Sequence, residues 1–261
     1  WALREKNVGH SLDLISKAKV PIVKYIDVET GVPVDVCLEQ KDGIVSSTFA
    51  KKALAKFPAF RHLTLLLKMW LRERGLNDTF TGGVGSFLLQ LLVVSTLQHP
   101  PRSNNPALRG NLGALVLHFF ETFGLRFNYS DVGLRVDQGG SYYSKHHRGW
   151  YDGGRPYLLS VESPLDATFD VAAACFNIRS VRRAFGHAYF ALLAADAELK
   201  QSRSFDRDQQ GVLTGGAAAA DARLHLLSAL RADVEVQMAE RFRLHARERA
   251  EEGLGTRPGI I

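Results

Sequence analysis

At 261 residues, 46% of them hydrophobic and 23% charged, the chain has room for one large domain or two ordinary ones and enough apolar surface to fill a core. Its two cysteines, Cys37 and Cys175, are far apart and belong to no CxxC pair, which excludes a disulfide framework and zinc-ligand spacing and fits a reducing compartment. The net charge of +6 suits a polyanionic partner such as nucleic acid or a nucleoside triphosphate. The longest apolar run, Phe87 to Leu97, is interrupted by Gln90 and is too short for a bilayer, so no membrane partner is expected.

In chain order, residues 2–16 read as the remnant of a helix, with Ala2, Leu3, Val8, Leu12, Leu14 and Ile15 at roughly helical spacing. Val20–Val28 and Val32–Glu39 read as two strands, and Thr30-Gly31 between them is a turn signal, so a β-hairpin is expected. Helices are predicted over Ser46–Phe57, His62–Arg74 and Ser86–Gln98, punctuated by Gly75, Asn77 and Gly82-Gly83. His99 to Gly110 reads as a Pro/Asn-rich loop and Asn111–Phe123 as another amphipathic helix. Phe127–Gly154 is aromatic and Gly-rich, with short strands expected at Val132–Val136 and Tyr142–Ser144 before helix returns over Val181–Leu199. Residues 201–221, rich in Gly, Ala, Ser and Asp, read as a flexible insertion, and Ala222–Glu252 as a charged amphipathic helix within the tail 222–261. Trp1 is not an initiator Met and no signal peptide follows it, so the chain reads as a piece of a longer protein.

Asp35 is the first candidate for chemistry. It lies inside an apolar strand, Val34-Asp35-Val36, where alternation can turn one carboxylate toward a cleft while its neighbours pack. A lone strand carboxylate is more often a solvent-face residue, but phosphoryl transfer needs such groups to hold two Mg²⁺ ions. Lys68 and Arg72, four apart on one predicted helix face, suit two cations reaching a triphosphate; a solvated basic face is the plainer alternative. Gly82-Gly83-Val84-Gly85-Ser86-Phe87 opens a helix whose backbone amides favour an anion. His62, His146 and His147 show no metal spacing and read as ordinary loop and surface histidines. The tail arginines Arg241, Arg243, Arg247 and Arg249, mixed with glutamates, fit a solvated helix better than an RNA-binding arm.

Lys-Val-Pro-Ile-Val-Lys-Tyr, Val-Asp-Val, Asp42-Gly43-Ile44, Leu-Leu-Leu-Lys68-Met-Trp70-Leu and Thr81-Gly-Gly-Val-Gly-Ser-Phe87 together resemble the Trf-type poly(A) polymerases of the DNA polymerase β-like nucleotidyltransferase superfamily. Asn111-Leu-Gly-Ala-Leu-Val-Leu-His-Phe-Phe-Glu-Thr-Phe-Gly124 is similar to the opening of their PAP-associated domain, and the match runs from about Ile15 to Leu193.

The resemblance implies an α+β fold: residues 1–60 as the back part of a truncated palm with two or more antiparallel strands, and 61–200 as a mostly helical central domain that binds nucleotide. It makes Asp35 the third of three metal-binding aspartates, with Mg²⁺ or Mn²⁺ as cofactor and ATP as substrate. The first two aspartates, on an earlier strand after a Gly-Ser motif, are not among these residues, so the fragment alone is expected to be inactive. Lys68 falls at the family's phosphate-binding lysine, with Arg72 in place of a second lysine. Ser86 would contact the terminal phosphates and Phe87 stack on the base, where relatives often carry Tyr. Ser46 aligns loosely with a ribose-contacting position.

Val161 to Val171 resembles the nucleotide recognition motif with three departures. Ser163 follows Glu162 where Asp is usual, Phe169 stands at a His or Asn position, and Ala173 where Arg is common. Asp166 remains as a polar base contact, while Phe169 cannot hydrogen-bond a base edge. The expected function is template-independent addition of AMP to an RNA 3′ end, in nuclear and nucleolar RNA surveillance, with the cytoplasm as a second location and a zinc-knuckle RNA-binding protein as companion. The alternatives are a terminal uridylyltransferase and a non-catalytic RNA- or partner-binding module.

Overall fold

The computed structural model describes residues 2–16, 21–37, 41–101 and 111–209; side chains within helices at 41–44 and 199–209 are not described. By contact the chain divides into two compact units, 1–52 and 53–261.

The first unit holds a short helix α1 (Ala2–Glu5) and strands β1 (Gly9–Ile15), β2 (Ile22–Asp27) and β3 (Pro33–Cys37), an antiparallel meander in the order β1-β2-β3. The expected helix over residues 2–16 is therefore wrong beyond its first turn. Leu12, Leu14 and Ile15 fit either period, and pairing with β2 decides for strand, matching Leu14 to Val23 and Ile15 to Ile22. Between His10 and Asp13 the register shifts, and Ser11 takes φ 53° at that irregularity. The hairpin holds as read: Asp27 Oδ2 accepts from Thr30 N at 2.9 Å and Thr30 Oγ1 at 2.6 Å, and Gly31 supplies φ +67°. These bonds keep the Asp27 carboxyl below its ordinary range. Helix α2 spans Lys41–Lys56, starting five residues before Ser46 (46 − 41 = 5).

The second unit is built on α3 (Phe60–Glu73), α4 (Ser86–Gln98), α5 (Leu112–Glu121) and α7 (Ile178–Gln209). Along α3 the buried residues Phe60, Leu63, Leu67, Trp70 and Leu71 make one stripe, leaving Lys68 and Arg72 outside. α4 is buried almost all round from Leu88 to Thr96, as its near-unbroken apolar sequence requires. Asn111 caps α5 by accepting from Ala114 N at 3.0 Å. α5 runs directly into a wide π turn at Thr122–Arg126. Phe119, Phe120, Phe123, Phe185 and Trp70 form the core, with ring centroids 5.0 Å apart for Trp70–Phe120 and 5.2 Å for Phe119–Phe185. Strands β4 (Val132–Arg135) and β5 (Ser141–Ser144) pair as a second hairpin, followed by the four-residue helix α6 (Lys145–Arg148).

α7 buries Val181, Ala184, Phe185, Ala188, Leu192 and Ala195 at helical spacing, and the side chains from Asp196 to Glu198 are exposed. It continues as helix through Gln209, so the insertion expected from residue 201 begins as helix, its glutamine-, serine- and arginine-rich start carrying no breaker. The rest of that insertion, the tail helix and residues 102–110 of the Pro/Asn-rich loop lie outside the described residues. Among the described residues no helix is long and apolar enough to cross a membrane.

Gly124 in the π turn meets α7 backbone to backbone: a Cβ there would stand 2.5 Å from Gly186 N. The contact is one-sided, because a Cβ at Gly186 would meet Leu125 Cδ2 at an ordinary 3.4 Å. Gly124→Ala is expected to cost about 1–3 kcal/mol of stability by overpacking. Gly186→Ala should be neutral or stabilising by up to about 1 kcal/mol through helix propensity. Urea unfolding of both variants checks this; equal losses would mean that the close approach is not the cause.

Candidate functional site

In the first unit, Asp35 lies on β3 with its side chain on the exposed face, while Val34 and Val36 are half-buried on the other. Its register partner is Lys24 on β2, and Lys24 Nζ stands 3.7 Å from Asp35 Oδ2. Both side chains are about half exposed, so the pair is a weak, screened contact that leaves the carboxylate reachable. Asp35 thus presents one oxygen donor of the kind a hard divalent cation takes. Among the described residues no group of three His, Cys, Asp or Glu side chains is placed to hold a metal, so these residues do not complete a two-metal donor set. Ser46 sits half-buried on α2.

In the second unit, Lys68 and Arg72 stand one turn apart on the exposed face of α3, as the spacing requires. The glycine loop before α4 is held by backbone bonds: Gly83 N to Asp78 O at 2.7 Å, Val84 N to Leu76 O at 2.7 Å, and Gly82 N to Thr79 O at 3.1 Å. Gly82 needs its φ of +77°, and a Cβ there would lie 2.5 Å from the Phe176 ring. Gly85 is the N-cap of α4 and contributes no side-chain bond to the helix start. Ser86 is exposed at this end and Phe87 half-buried.

The segment 161–171 is a closed loop. Val161 bridges Leu134 of β4 in parallel, and Glu162 bridges Asp170 in antiparallel fashion. Ser163 N donates to Phe169 O at 3.0 Å, and Phe169 N to Asp166 O at 3.0 Å. Asp166 is exposed, and its Oδ1 accepts from Thr168 N at 2.9 Å and Thr168 Oγ1 at 2.6 Å. Those bonds hold its carboxyl below the ordinary range, so Asp166 is an anion and a turn-former before it is anything else. Phe169 is 45% exposed, an aromatic face that burial does not explain.

Asn177 N donates to Gly82 O at 3.0 Å, and Phe176 lies against Gly82. The chain leaving the recognition loop is thereby tied to the glycine loop at the start of α4. Ser86 and Phe87 come from one of these connected elements, Asp166 and Phe169 from the other.

Sequence reasoning missed three side chains. Lys145 is 1% exposed, and its ammonium donates to Tyr129 O at 2.8 Å, Pro156 O at 2.7 Å and Leu158 O at 2.9 Å. Burial pulls its pKa below the ordinary lysine value, while three carbonyls use all three N–H donors. Arg148 reaches Glu162, a residue the motif had flagged, at 2.8 Å. Asp170 Oδ1 accepts from Val161 N at 2.9 Å and Ala172 N at 2.8 Å, joining the loop's two ends. The Lys-His-His-Arg run gave no signal for the first two, because nothing local says which cation faces inward. His62, His146 and His147 are exposed as expected. Burial pushes the Cys175 thiol up to about 12, which leaves it protonated and unreactive at neutral pH. A cavity of about 530 Å³ opens at the far end of α4, lined by Ser95, His99, His118, Glu121 and Tyr142 among others, and none of the sequence-chosen residues lines it.

A small antiparallel sheet carrying an exposed aspartate, followed by a helical unit with a glycine-loop helix start and a closed loop over 161–170, is the arrangement of a polymerase β-like nucleotidyltransferase fold. Residues 2–51 match the family model of the mitochondrial-like poly(A) RNA polymerase central palm domain, and residues 111–169 that of the Cid1 family poly A polymerases. A poly(A) RNA polymerase, CID14, of Cryptococcus neoformans is 38% identical over 80% of this chain and 26% of its own length. One of Schizosaccharomyces pombe is 35% identical over 72% of this chain and 28% of its own length. The solved polymerase core of TRAMP, described as an RNA surveillance complex, is 32% identical with a TM-score of 0.67, covering 75% of this chain and 62% of that one. The chain resembles the Trf- and Cid14-type poly(A) RNA polymerases, and it spans between about a quarter and a third of the length of these two curated relatives.

Asp170 supplies a test of the loop. Burial raises its carboxyl above the ordinary carboxylate range against the two amides that favour the anion. The folded state therefore keeps the proton to higher pH than the unfolded chain, and stability falls as pH rises from the unfolded value through the folded one. Asp170→Asn keeps the acceptor and removes the buried charge, so at pH 7 its stability should lie within about 1 kcal/mol of the parent or above it. Asp170→Ala should cost about 1–2 kcal/mol. Urea unfolding at pH 7 decides; an Asn variant as weak as Ala would mean that the charge itself holds the loop.

Proposed function

We propose that this chain supplies the nucleotide-binding part of a template-independent RNA 3′-terminal adenylyltransferase. In the reaction an RNA 3′-hydroxyl attacks the α-phosphate of ATP in line, the new phosphodiester forms, and diphosphate leaves. The observation that carries this reading is the Asn177–Gly82 hydrogen bond, which couples a glycine-loop helix start to a closed loop bearing an exposed aromatic.

Within that reading each side chain has a positional task. Lys68 and Arg72 neutralise the triphosphate, with the helix-start amides and the Ser86 hydroxyl taking its terminal oxygens. Phe87 stacks on the base, Asp166 and Phe169 face its edge, and Ser46 reaches the ribose. Asp35 is one metal-binding carboxylate; the remaining donors come from outside the described residues. A bound divalent ion, Mg²⁺ or Mn²⁺, supplies charge stabilisation at the phosphates. An RNA 3′ end as acceptor, a surveillance-type assembly with a zinc-knuckle RNA-binding protein, and a nuclear or nucleolar setting complete the proposal. The polymerase core of the surveillance complex that this chain resembles supports the assembly role.

The departures at Ser163, Phe169 and Ala173 favour one second reading, a uridylyltransferase, since Phe cannot hydrogen-bond a base edge. Primer extension by the full-length protein with each nucleoside triphosphate in turn separates the two. ATP is expected to be preferred over UTP by about tenfold or more; a UTP preference would sink the adenylyl reading. Replacing Lys68 and Arg72 together by alanine should weaken ATP binding to this chain about 30-fold and flatten its salt dependence. Calorimetric titration with ATP checks it, and unchanged affinity would return the pair to a solvated basic face.

A further inference from the structure

From Leu165 to Phe169 every side chain of the recognition loop is exposed, Leu165 to 39% and Phe169 to 45%. Its neck is tied by the Glu162–Asp170 bridge and by Ser163 N to Phe169 O. A long-range contact to the tip comes from Arg148. Its Nη2 lies 2.8 Å from Glu162 Oε2 and also donates to the Ala167 carbonyl, joining the base of the loop to its tip through one guanidinium. The Glu162 side chain is 8% exposed and that of Arg148 36%, so this pair is shielded well beyond an ordinary surface ion pair. The guanidinium also lies 5.0 Å from the Trp150 ring centroid.

Arg148 is itself well placed to act as a clasp. It ends α6, a helix too short to stand alone, whose first residue is the buried Lys145 anchored on three carbonyls. Ser144 caps that helix by accepting from His147 N, and Gly149 ends it at φ +74°. The backbone that launches Arg148 is therefore fixed where it meets the loop.

We propose that Arg148 is a positioning residue for nucleotide choice: by bridging the Glu162 carboxylate and the Ala167 carbonyl it sets where Asp166 and Phe169 stand relative to the base. This rests on the reading above that the loop faces the base. A lysine replaces it poorly, because an ammonium on a flexible stem lacks the fixed plane with which the guanidinium holds Nη2 against both acceptors.

Three measurements test it. Hydrogen exchange on this chain should show Thr168 and Phe169 amides exchanging about tenfold faster in Arg148→Lys, with the Leu134 and α4 amides unchanged. In primer extension by the full-length protein, Arg148→Met should raise the KM for ATP about tenfold with kcat within about twofold, and lower the ATP-over-UTP ratio of kcat/KM by about fivefold. Arg148→Lys should fall between Met and the parent, which keeps the test intact if Arg148→Met folds poorly. In the Phe169→Ala background the Arg148 substitutions should no longer alter the ratio. Equal loss with all four nucleotides, or loss in kcat alone with a lowered melting point, would reduce Arg148 to a structural residue and overturn the proposal. An unchanged ratio in Arg148 variants, with Phe169→Ala or Asp166→Ala still altering it, overturns the proposal alone. An unchanged ratio in those two loop variants overturns the reading of the loop as well.

Discussion

A single buried ammonium holds together parts of the second unit that have no sheet or helix in common. Lys145 Nζ takes the carbonyls of Tyr129, Pro156 and Leu158, three points on an irregular stretch with no long helix or strand of its own. Backbone carbonyls buried without partners would each cost about 1–3 kcal/mol, so a three-donor cation is a compact way to satisfy them at once. Because it opens α6, the same residue fixes where Arg148 begins, and because Leu158 is one of its acceptors it fixes the approach to Val161. Tyr129 is locked from its other end, its hydroxyl donating to Phe123 O at 2.6 Å, which burial makes the phenol's durable state. Polar anchoring here replaces the apolar packing that a loop cannot supply.

The helical core does a complementary job. α4 is buried nearly all round, so its axis is set by α3 and α5 and by the aromatic cluster about Trp70, Phe120 and Phe185. Its first turn reaches the surface at Ser86. A helix so enclosed can expose its N-terminal amides without moving, and the glycines that precede it let the chain turn sharply enough to leave that end open. Fixed dipoles at an open helix start are what a triphosphate site needs, since they require no reorganisation when the anion arrives.

Much of this was legible in the residues. The stripe at Phe60, Leu63, Leu67 and Trp70 dictates which way Lys68 and Arg72 point, and α4 was bounded by its own Gly85 and by the change of texture after Gln98. The Thr30-Gly31 turn set the β2–β3 register and, with it, the side of the sheet that Asp35 occupies. β1 was not legible, because Leu12, Leu14 and Ile15 satisfy a helical spacing as well as a strand, and only the presence of β2 beside them chooses. Lys145 and Arg148 were hidden for a different reason. Four consecutive basic residue types look alike along the chain, and the inward one is picked out by carbonyls sixteen residues before it and up to thirteen after it.

Helix α7 has a consequence at its far end. Among the described side chains its buried face runs to Ala195, and the helix continues through Gln209. At about 1.5 Å per residue the remainder makes a rod of roughly 20 Å. A rod differs from a tether in what it does to the chain beyond it: a flexible linker lets the next segment sample a volume, whereas a helix hands it a direction and a fixed starting distance. Insertions or deletions in this stretch would then act in steps of about 100° of rotation per residue, changing which way the following chain departs as much as how far.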